Sequence, residues 1–317
     1  MPETVPFSGL DEMIARIMRI PTRSKSAHIA LALVGMLVLC VAAGDPSESS
    51  KAPQRIIATS PSNTEIICAL GAADRLVAVS SYATHPPEIL KLPRIGGLFD
   101  PDMESILALA PDLLVMRGRN PQVEKLCQDH RIRFYEDKTD TLDTLYTTIR
   151  ELGDILNRSD EAADLIKQTR EQLDRIKSSV GERKRPKVLM TLRSPDKLGG
   201  ITTVSRRSYL GQVIELAGGD NIFADLETPY PQIGLEDIVS QQPDIIIEAM
   251  PGEKDADALH TQLLKQWRDL GSINAANEGR VVVLTEDYVL IPSPRVVQLA
   301  KRLQQAFQSM DENRDED

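Results

Sequence analysis

Residues 159–180 read Ser159-Asp160-Glu161-Ala162-Ala163-Asp164-Leu165-Ile166-Lys167-Gln168-Thr169-Arg170-Glu171-Gln172-Leu173-Asp174-Arg175-Ile176-Lys177-Ser178-Ser179-Val180. Ala162, Ile166, Thr169, Leu173, Ile176 and Val180 recur at three- and four-residue spacing, while Asp, Glu, Lys, Arg and Gln fill the opposite face. That spacing predicts one long amphipathic helix. At 1.5 Å per residue it runs roughly 33 Å, about the width of a lobe. The polar cluster Gly181-Glu182-Arg183-Lys184-Arg185-Pro186 ends it, and a strand restarts at once. A chain of 317 residues exceeds one minimal core, and a helix of this length near its middle divides it into two lobes.

Short apolar runs alternate with helical patterns on both sides of this segment. Candidate strands are Arg55-Thr59, Leu76-Ser80, Leu113-Met116 and Ile132-Tyr135 before it, then Lys187-Leu192, Ile245-Glu248 and Val281-Thr285 after it. The alternation indicates βαβ units and mainly parallel sheets. The expected fold is α/β, two Rossmann-like lobes joined by a single long connecting helix. The expected boundaries are a signal peptide at 1–43, a polar linker at 44–53, an N-terminal lobe at 54–155, the connecting helix at 156–182, a C-terminal lobe at 183–310 and an acidic tail at 311–317.

An internal repeat relates the lobes. Met103-Glu104-Ser105-Ile106 leads through four residues to Pro111-Asp112-Leu113-Leu114-Val115, and Leu235-Glu236-Asp237-Ile238 leads through four residues to Pro243-Asp244-Ile245-Ile246-Ile247. A helix opening with Glu, a Pro-Asp turn and a buried strand recur at identical spacing. A weaker echo pairs Leu70-Gly71-Ala72-Ala73-Asp74 with Ala217-Gly218-Gly219-Asp220, where Gly can supply a left-handed helix terminus.

Ile29 to Ala43 is an uninterrupted apolar run, preceded by Arg16, Arg19, Arg23 and Lys25 and followed by the polar stretch Gly44 to Ser50. It is shorter than the ~20 residues of a spanning helix, and Val41-Ala42-Ala43 has the small-residue pattern of a cleavage site. Export follows, with Met18 as an alternative start. Leu37-Val38-Leu39-Cys40 places a bulky Leu where a lipidation motif has a small residue, so cleavage after Ala43 ranks above lipidation of Cys40. Cys68 and Cys127 are expected to be small buried hydrophobes rather than a disulfide. The formal net charge of -10 speaks against a nucleic-acid partner, which requires clustered Lys and Arg.

Ligands of open parallel sheets bind beyond the carboxyl ends of the strands. In lobe one those positions are Ser60, Pro61 and Asn63, then Ser81 and Tyr82, then Arg117, Gly118, Arg119 and Asn120. In lobe two they are Arg193 and Ser194, Met250 and Pro251, and Glu286, Asp287 and Tyr288. Facing each other, these loops would form the walls of one cleft. Each has a plain structural explanation too. Tyr82 and Tyr288 suit ordinary loops, Arg117 and Arg119 suit solvated surface charges as well as anion recognition, and Ser60 to Glu65 suits a helix cap. Glu104 and Glu236 are favoured in a first helical turn by the macrodipole alone.

These segments resemble the periplasmic iron-siderophore and cobalamin-binding proteins of ABC importers. The likeness is carried by Arg55-Ile56-Ile57-Ala58-Thr59-Ser60-Pro61-Ser62-Asn63-Thr64-Glu65, by Val79-Ser80-Ser81-Tyr82 with Pro86-Pro87, and by Leu109-Ala110-Pro111-Asp112-Leu113-Leu114. It continues through Gly218-Gly219-Asp220-Asn221-Ile222-Phe223, Pro229-Tyr230-Pro231-Gln232 and Ser293-Pro294-Arg295-Val296. The resemblance implies a monomeric, non-enzymatic binding protein with no cofactor of its own, which carries a small-molecule chelate to a membrane permease. It implies that Tyr82, Tyr230, Asp287 and Tyr288 face the ligand, and that Glu104 and Glu236 dock on permease arginines. Where the cobalamin-binding members are tryptophan-rich, this chain has Leu98 or Phe99 and the Met116-Arg117 neighbourhood, and its sole tryptophan, Trp267, lies elsewhere. Haem and ferric siderophores therefore stand beside corrinoids, with Arg117, Arg119 and Arg193 available to an acidic ligand and Tyr82 or His85 to an axial position.

Two other classes are weighed. A bare transition-metal binder needs three or four converging His, Asp or Glu ligands, whereas the expected mature chain has only His85, His130 and His260, widely separated. An enzyme could be assembled from Glu65, His85 and Asp287, but no nucleophile elbow, phosphate loop or zinc-protease helix supports it.

Overall fold

The seven aliphatic runs, joined by one further two-residue strand, become two four-stranded sheets in the computed structural model, which describes residues 51–192 and 201–314. The expected leader, Cys40, Arg193, Ser194 and the last residues of the acidic tail lie outside the described residues. In lobe one, β1 (Ile56–Ala58), β2 (Leu76–Val79), β3 (Leu113–Arg117) and β4 (Arg133–Asp137) pair in the order β2-β1-β3-β4, all parallel. In lobe two, β5 (Lys187–Thr191), β7 (Asp220–Asn221), β9 (Ile245–Ala249) and β10 (Val281–Leu284) pair in the order β10-β9-β5-β7, again parallel. Taking β5 as the counterpart of β1 and β9 as that of β3, the two orders are the same.

β4 ends two residues beyond its apolar run. Its parallel register with β3 continues through Met116↔Glu136 and Arg117↔Asp137, so pairing rather than hydrophobicity sets the end. The two-residue β7 and the small antiparallel pair β6 (Ile201–Thr202) and β8 (Gln232–Ile233) are too short to leave a periodic signal in the sequence.

The internal repeat has a structural counterpart in every part. α2 (Met103–Ala108) precedes β3, and α7 (Leu235–Gln241) precedes β9. The residues before the repeated prolines, Ala110 and Gln242, both have positive φ, 43° and 47°. The glycine echo also holds, with Gly71 at φ 72° and Gly218 at φ 97°.

The long helix, α5, spans Ser159–Val180 and stops at Gly181, whose φ of 61° is easiest for glycine. It follows α4 (Leu142–Leu156) after a tight turn through left-handed Asn157. A Cβ at Gly153 would lie 2.5 Å from the Ala162 Cβ, so the close approach of α4 and α5 requires glycine there.

Strand alternation sorts the core. Ile56, Ala58, Leu113 and Val115 of lobe one and Val188, Met190, Ile245 and Ile247 of lobe two belong to one continuous cluster. Joining them are Leu145 and Ile149 of α4, Leu173 and Ile176 of α5, Leu210 and Val213 of α6 (Tyr209–Leu216), and Leu303 and Phe307 of α10 (Val296–Arg314). The opposite sheet faces have separate cores, with Ile57, Leu114 and Val123 in lobe one and Leu189, Ile246 and Trp267 in lobe two.

Candidate ligand-binding site

The turn after β1 lies where the strand order of lobe one reverses, the usual position of a ligand crevice. Ser60 is buried there and caps α1 (Pro61–Ala69), its Oγ accepting the Asn63 N–H at 3.3 Å and lying 3.1 Å from Ser62 Oγ. Pro61 sits in the first turn, where its missing N–H costs nothing. Ser60 is thus a buried cap within the turn. Glu65, on the same helix, is also buried.

The loop after β2 is held by Arg94, whose Nη1 donates to the carbonyls of Ser80 at 3.0 Å and Ala83 at 2.7 Å. The Ser81 N–H donates to Gly96 O at 2.8 Å and the Tyr82 N–H to Ser80 Oγ at 3.3 Å. This firm base presents Tyr82 with 71% of its surface exposed. Its ring packs over Gly97, where an added Cβ would stand 3.0 Å from Cε2. Nearby Phe99 is 91% exposed. Both rings leave apolar surface in contact with water.

Across the gap, the loop after β10 carries Glu286, Asp287 and Tyr288. Thr84 Oγ1 of lobe one donates to Asp287 Oδ2 of lobe two at 3.5 Å, so the Tyr82 and Tyr288 loops meet. Asp287 Oδ1 accepts from Arg295 Nη1 at 2.7 Å, and the Arg295 guanidinium carbon lies 5.7 Å from the centre of the Tyr288 ring. Arg295 also reaches lobe one, where Nε donates to Glu65 Oε2 at 2.9 Å and Nη2 forms a second short bond to Oε1. Glu286 accepts from Arg302 Nε at 3.0 Å. Burial pushes the Tyr288 phenol upward, reinforced by Glu286. Arg295 holds the carboxylates of Glu65 and Asp287 together as salt-bridge partners.

A second cluster lies at the ends of β3 and β4. Arg117 Nη1 stands 3.9 Å from Asp137 Oδ2, and Nη2 stands 3.9 Å from Asp140 Oδ1. Nη1, Asp137 Oδ2 and Tyr209 Oη are buried without a hydrogen bond. Asp137 Oδ1 is occupied instead by the N–H of Thr139 at 2.8 Å and the hydroxyls of Thr139 and Thr148. Arg117 is close enough to lobe two for its charge to act on Tyr209 and Tyr230. Burial raises both phenols and the guanidinium offsets part of the rise. Tyr230 is partly buried against the shared core, on a loop fixed by Ser205 N–H to Pro229 O at 3.0 Å and Thr203 N–H to Pro231 O at 2.9 Å. Arg117 thus lies within electrostatic reach of Tyr230. Arg119 turns aside into a two-point salt bridge with Glu124, at 3.0 and 2.9 Å, on the exposed surface.

Glu104 and Glu236 are exposed in the first turns of α2 and α7, the matching helices of the two lobes, and neither forms an ion pair among the described residues. Asp102 caps α2 by accepting the N–H groups of Glu104 and Ser105, each at 3.1 Å, while Asp237 Oδ2 accepts the Gly234 N–H at 2.9 Å at the start of α7. The cap carboxylate differs, and the outward glutamate is common to both.

Among the described residues, no group of three His, Cys, Asp or Glu side chains could hold a metal ion. His260 Nε2 donates to the Val281 carbonyl at 3.0 Å. Cys127 is buried, Cys68 is half-buried, and both are free. No helix among these residues is long and apolar enough to cross a membrane.

Arg295, Glu65, Thr84 and Arg94 organise the site without standing out as ligand-facing in the sequence. The one available signal was Ser293-Pro294-Arg295 opening the last helix, which repeats the Ser-Pro start of α1.

Two α/β lobes of matching strand order meet through their strand-tip loops, at Thr84 and Asp287. Residues 56–288 match the periplasmic binding protein family. The vitamin B12-binding protein of Yersinia pestis (strain Pestoides F) is 30% identical over 264 residues, covering 82% of this chain and 89% of the relative. Among solved structures, the periplasmic vitamin B12 binding protein of Vibrio cholerae is similar with a TM-score of 0.67 and 26% identity, over 81% of this chain and 97% of that one. A periplasmic heme binding protein from Pseudomonas aeruginosa gives a TM-score of 0.71 and 26% identity, over 80% and 92%. The chain belongs to the periplasmic binding protein family, whose members bind substrates rather than transform them.

Proposed function

We propose that this protein is the exported substrate-binding component of an ABC importer, capturing a bulky metal chelate between its lobes and delivering it to a membrane permease. The contact of Thr84 with Asp287 supports the reading, because it joins the loop of the exposed Tyr82 to the loop of Tyr288, and the two would then line one cleft. Tyr82, Phe99, Tyr230 and Tyr288 would cover the apolar surface of the chelate. Arg117 and Asp287 would read its polar rim, Arg193, which follows β5 in the sequence, would share that task, and Ser60 would shape the floor. Arg119 takes a lesser part, since Glu124 holds it. Glu104 and Glu236 would meet permease arginines by charge complementarity.

A corrinoid is the first choice of ligand, supported by the names of the relatives in Yersinia and Vibrio. Haem is the second, supported by the heme-binding relative and by Tyr82, a phenol exposed at the cleft edge. Thermal shift with cyanocobalamin, cobinamide, haemin and ferric siderophores tests the reading, since a ligand held only by the folded state raises Tm with concentration. A rise with cyanocobalamin or cobinamide supports the corrinoid, and a rise with haemin alone favours the second choice. No shift with any of the four counts against a chelate-binding cleft.

A further inference from the structure

Ser293-Pro294-Arg295 opens α10, and the chain folds back on itself there. The Arg295 N–H donates to Ser293 Oγ at 3.2 Å and the Val296 N–H to Ser293 O at 2.9 Å, with Ser293 fully buried. The arginine backbone is thereby fixed before its side chain makes any contact. The guanidinium then uses three nitrogens for two carboxylates, Nε and Nη2 on Glu65 and Nη1 on Asp287, while its face lies toward the Tyr288 ring. Side-chain exposure is 11% for Arg295 and 4% for Glu65. Lysine could not reproduce this arrangement, because only a planar fork meets both oxygens of one carboxylate.

A buried ion pair is weak evidence for stability, since desolvation offsets most of the Coulomb gain and apolar replacements often fold as well or better. Its geometric effect is firmer. We infer that Arg295 is a positioning residue that ties the Asp287–Tyr288 turn of lobe two to Glu65 on the first helix of lobe one, setting the spacing of the cleft walls. Asp287 completes the tie, since its other oxygen accepts from Thr84. Movement of either lobe at this point would strain both salt bridges together. The inference rests on the reading of Asp287 and Tyr288 as ligand-facing only for its consequence in binding; the positioning itself is a property of the free protein.

Hydrogen–deuterium exchange on the ligand-free protein tests it, with Arg295→Met, Arg295→Lys and the milder Glu65→Gln, which keeps the side-chain shape. The expected result is a rise of about tenfold or more in exchange at residues 285–291 in Arg295→Met and Arg295→Lys, a smaller rise in Glu65→Gln, and unchanged protection in β1 and β9. Unchanged exchange at 285–291 in all three variants overturns the inference, and so does a uniform rise across the core strands, which would mark a merely structural role. Affinities for cyanocobalamin and haemin, measured on the same variants, separate the two ideas. Faster loop exchange with undiminished affinity keeps Arg295 as the positioning residue and removes Asp287 and Tyr288 from the ligand site.

Discussion

Asp112 and Asp244 hold the same place in the two lobes. Asp112 accepts the N–H groups of Gln54 at 2.7 Å and Arg55 at 2.9 Å, and Asp244 accepts the N–H of Lys187 at 2.9 Å. Each donates its own N–H back across the sheet, to Arg55 O at 2.9 Å and Lys187 O at 2.8 Å. The basic side chain opposite caps the preceding helix in both cases, with Arg55 Nε donating to Leu109 O and Ala110 O and Lys187 Nζ to Gln241 O. The Pro-Asp repeat is thus a clamp at the start of each central strand pair. Asp112→Ala should cost about 1 kcal/mol, the usual worth of such hydrogen bonds, and Asp244→Ala a similar amount; both would lower the urea midpoint with an unchanged slope.

Glu248 is a second structural test. It is fully buried, accepting Trp267 Nε1–H at 2.5 Å and the Thr191 hydroxyl at 2.5 Å. Glu248→Ala should destabilise the fold by about 2–3 kcal/mol, because it takes an acceptor from a buried indole. Trp267 is the sole tryptophan and fully buried in the outer core of lobe two. Its emission should report unfolding sharply and ligand capture weakly.

Tyr82→Ala should leave Tm of the free protein nearly unchanged, because the side chain is mostly exposed. It should weaken capture of the binding chelate by about tenfold, roughly the 1.4 kcal/mol expected of one aromatic contact. Isothermal titration checks this, and an unaltered Kd would remove Tyr82 from the cleft wall.

Glu104→Ala combined with Glu236→Ala should leave ligand affinity intact and abolish uptake. Paired binding and transport assays in cells carrying the permease measure the two effects apart. Loss of both activities would place one of these glutamates at the cleft instead.

The two thiols give a pH prediction. Burial pushes the Cys127 thiol from 9.0 up to about 11, and burial with the charges of Glu88 and Glu65 pushes Cys68 to about 12. Both folded values lie above the unfolded one, so their contribution to stability is complete below pH 9 and falls away as pH rises toward 11 and 12. Iodoacetamide at pH 8 should label the native protein slowly and the urea-unfolded protein rapidly.

Much of the fold was legible because it rests on local patterns. The strand runs, the helix from Ser159 to Val180 and the Pro-Asp repeat are each read within about twenty residues. The site was legible only as a set of loops. Tyr82 and Asp287 follow from their place after β2 and β10, but the pairing of Glu65 with Arg295 joins positions 230 residues apart. No spacing reveals it. Arg119 looked as open to a ligand as Arg117 did, and only the helical turn carrying Glu124 separates them. Asp137 escaped notice because it ends a strand whose hydrophobic signal stops at Tyr135.

The uninterrupted packing from Ile56 through α4, α5, α6 and α10 to Ile247 has a consequence for autonomy. Cutting the gene at Gly181 would not yield two independent miniature proteins, because each fragment would expose an apolar surface that the other now covers. The two repeated halves are bound in obligatory partnership, and heat should melt both in one step.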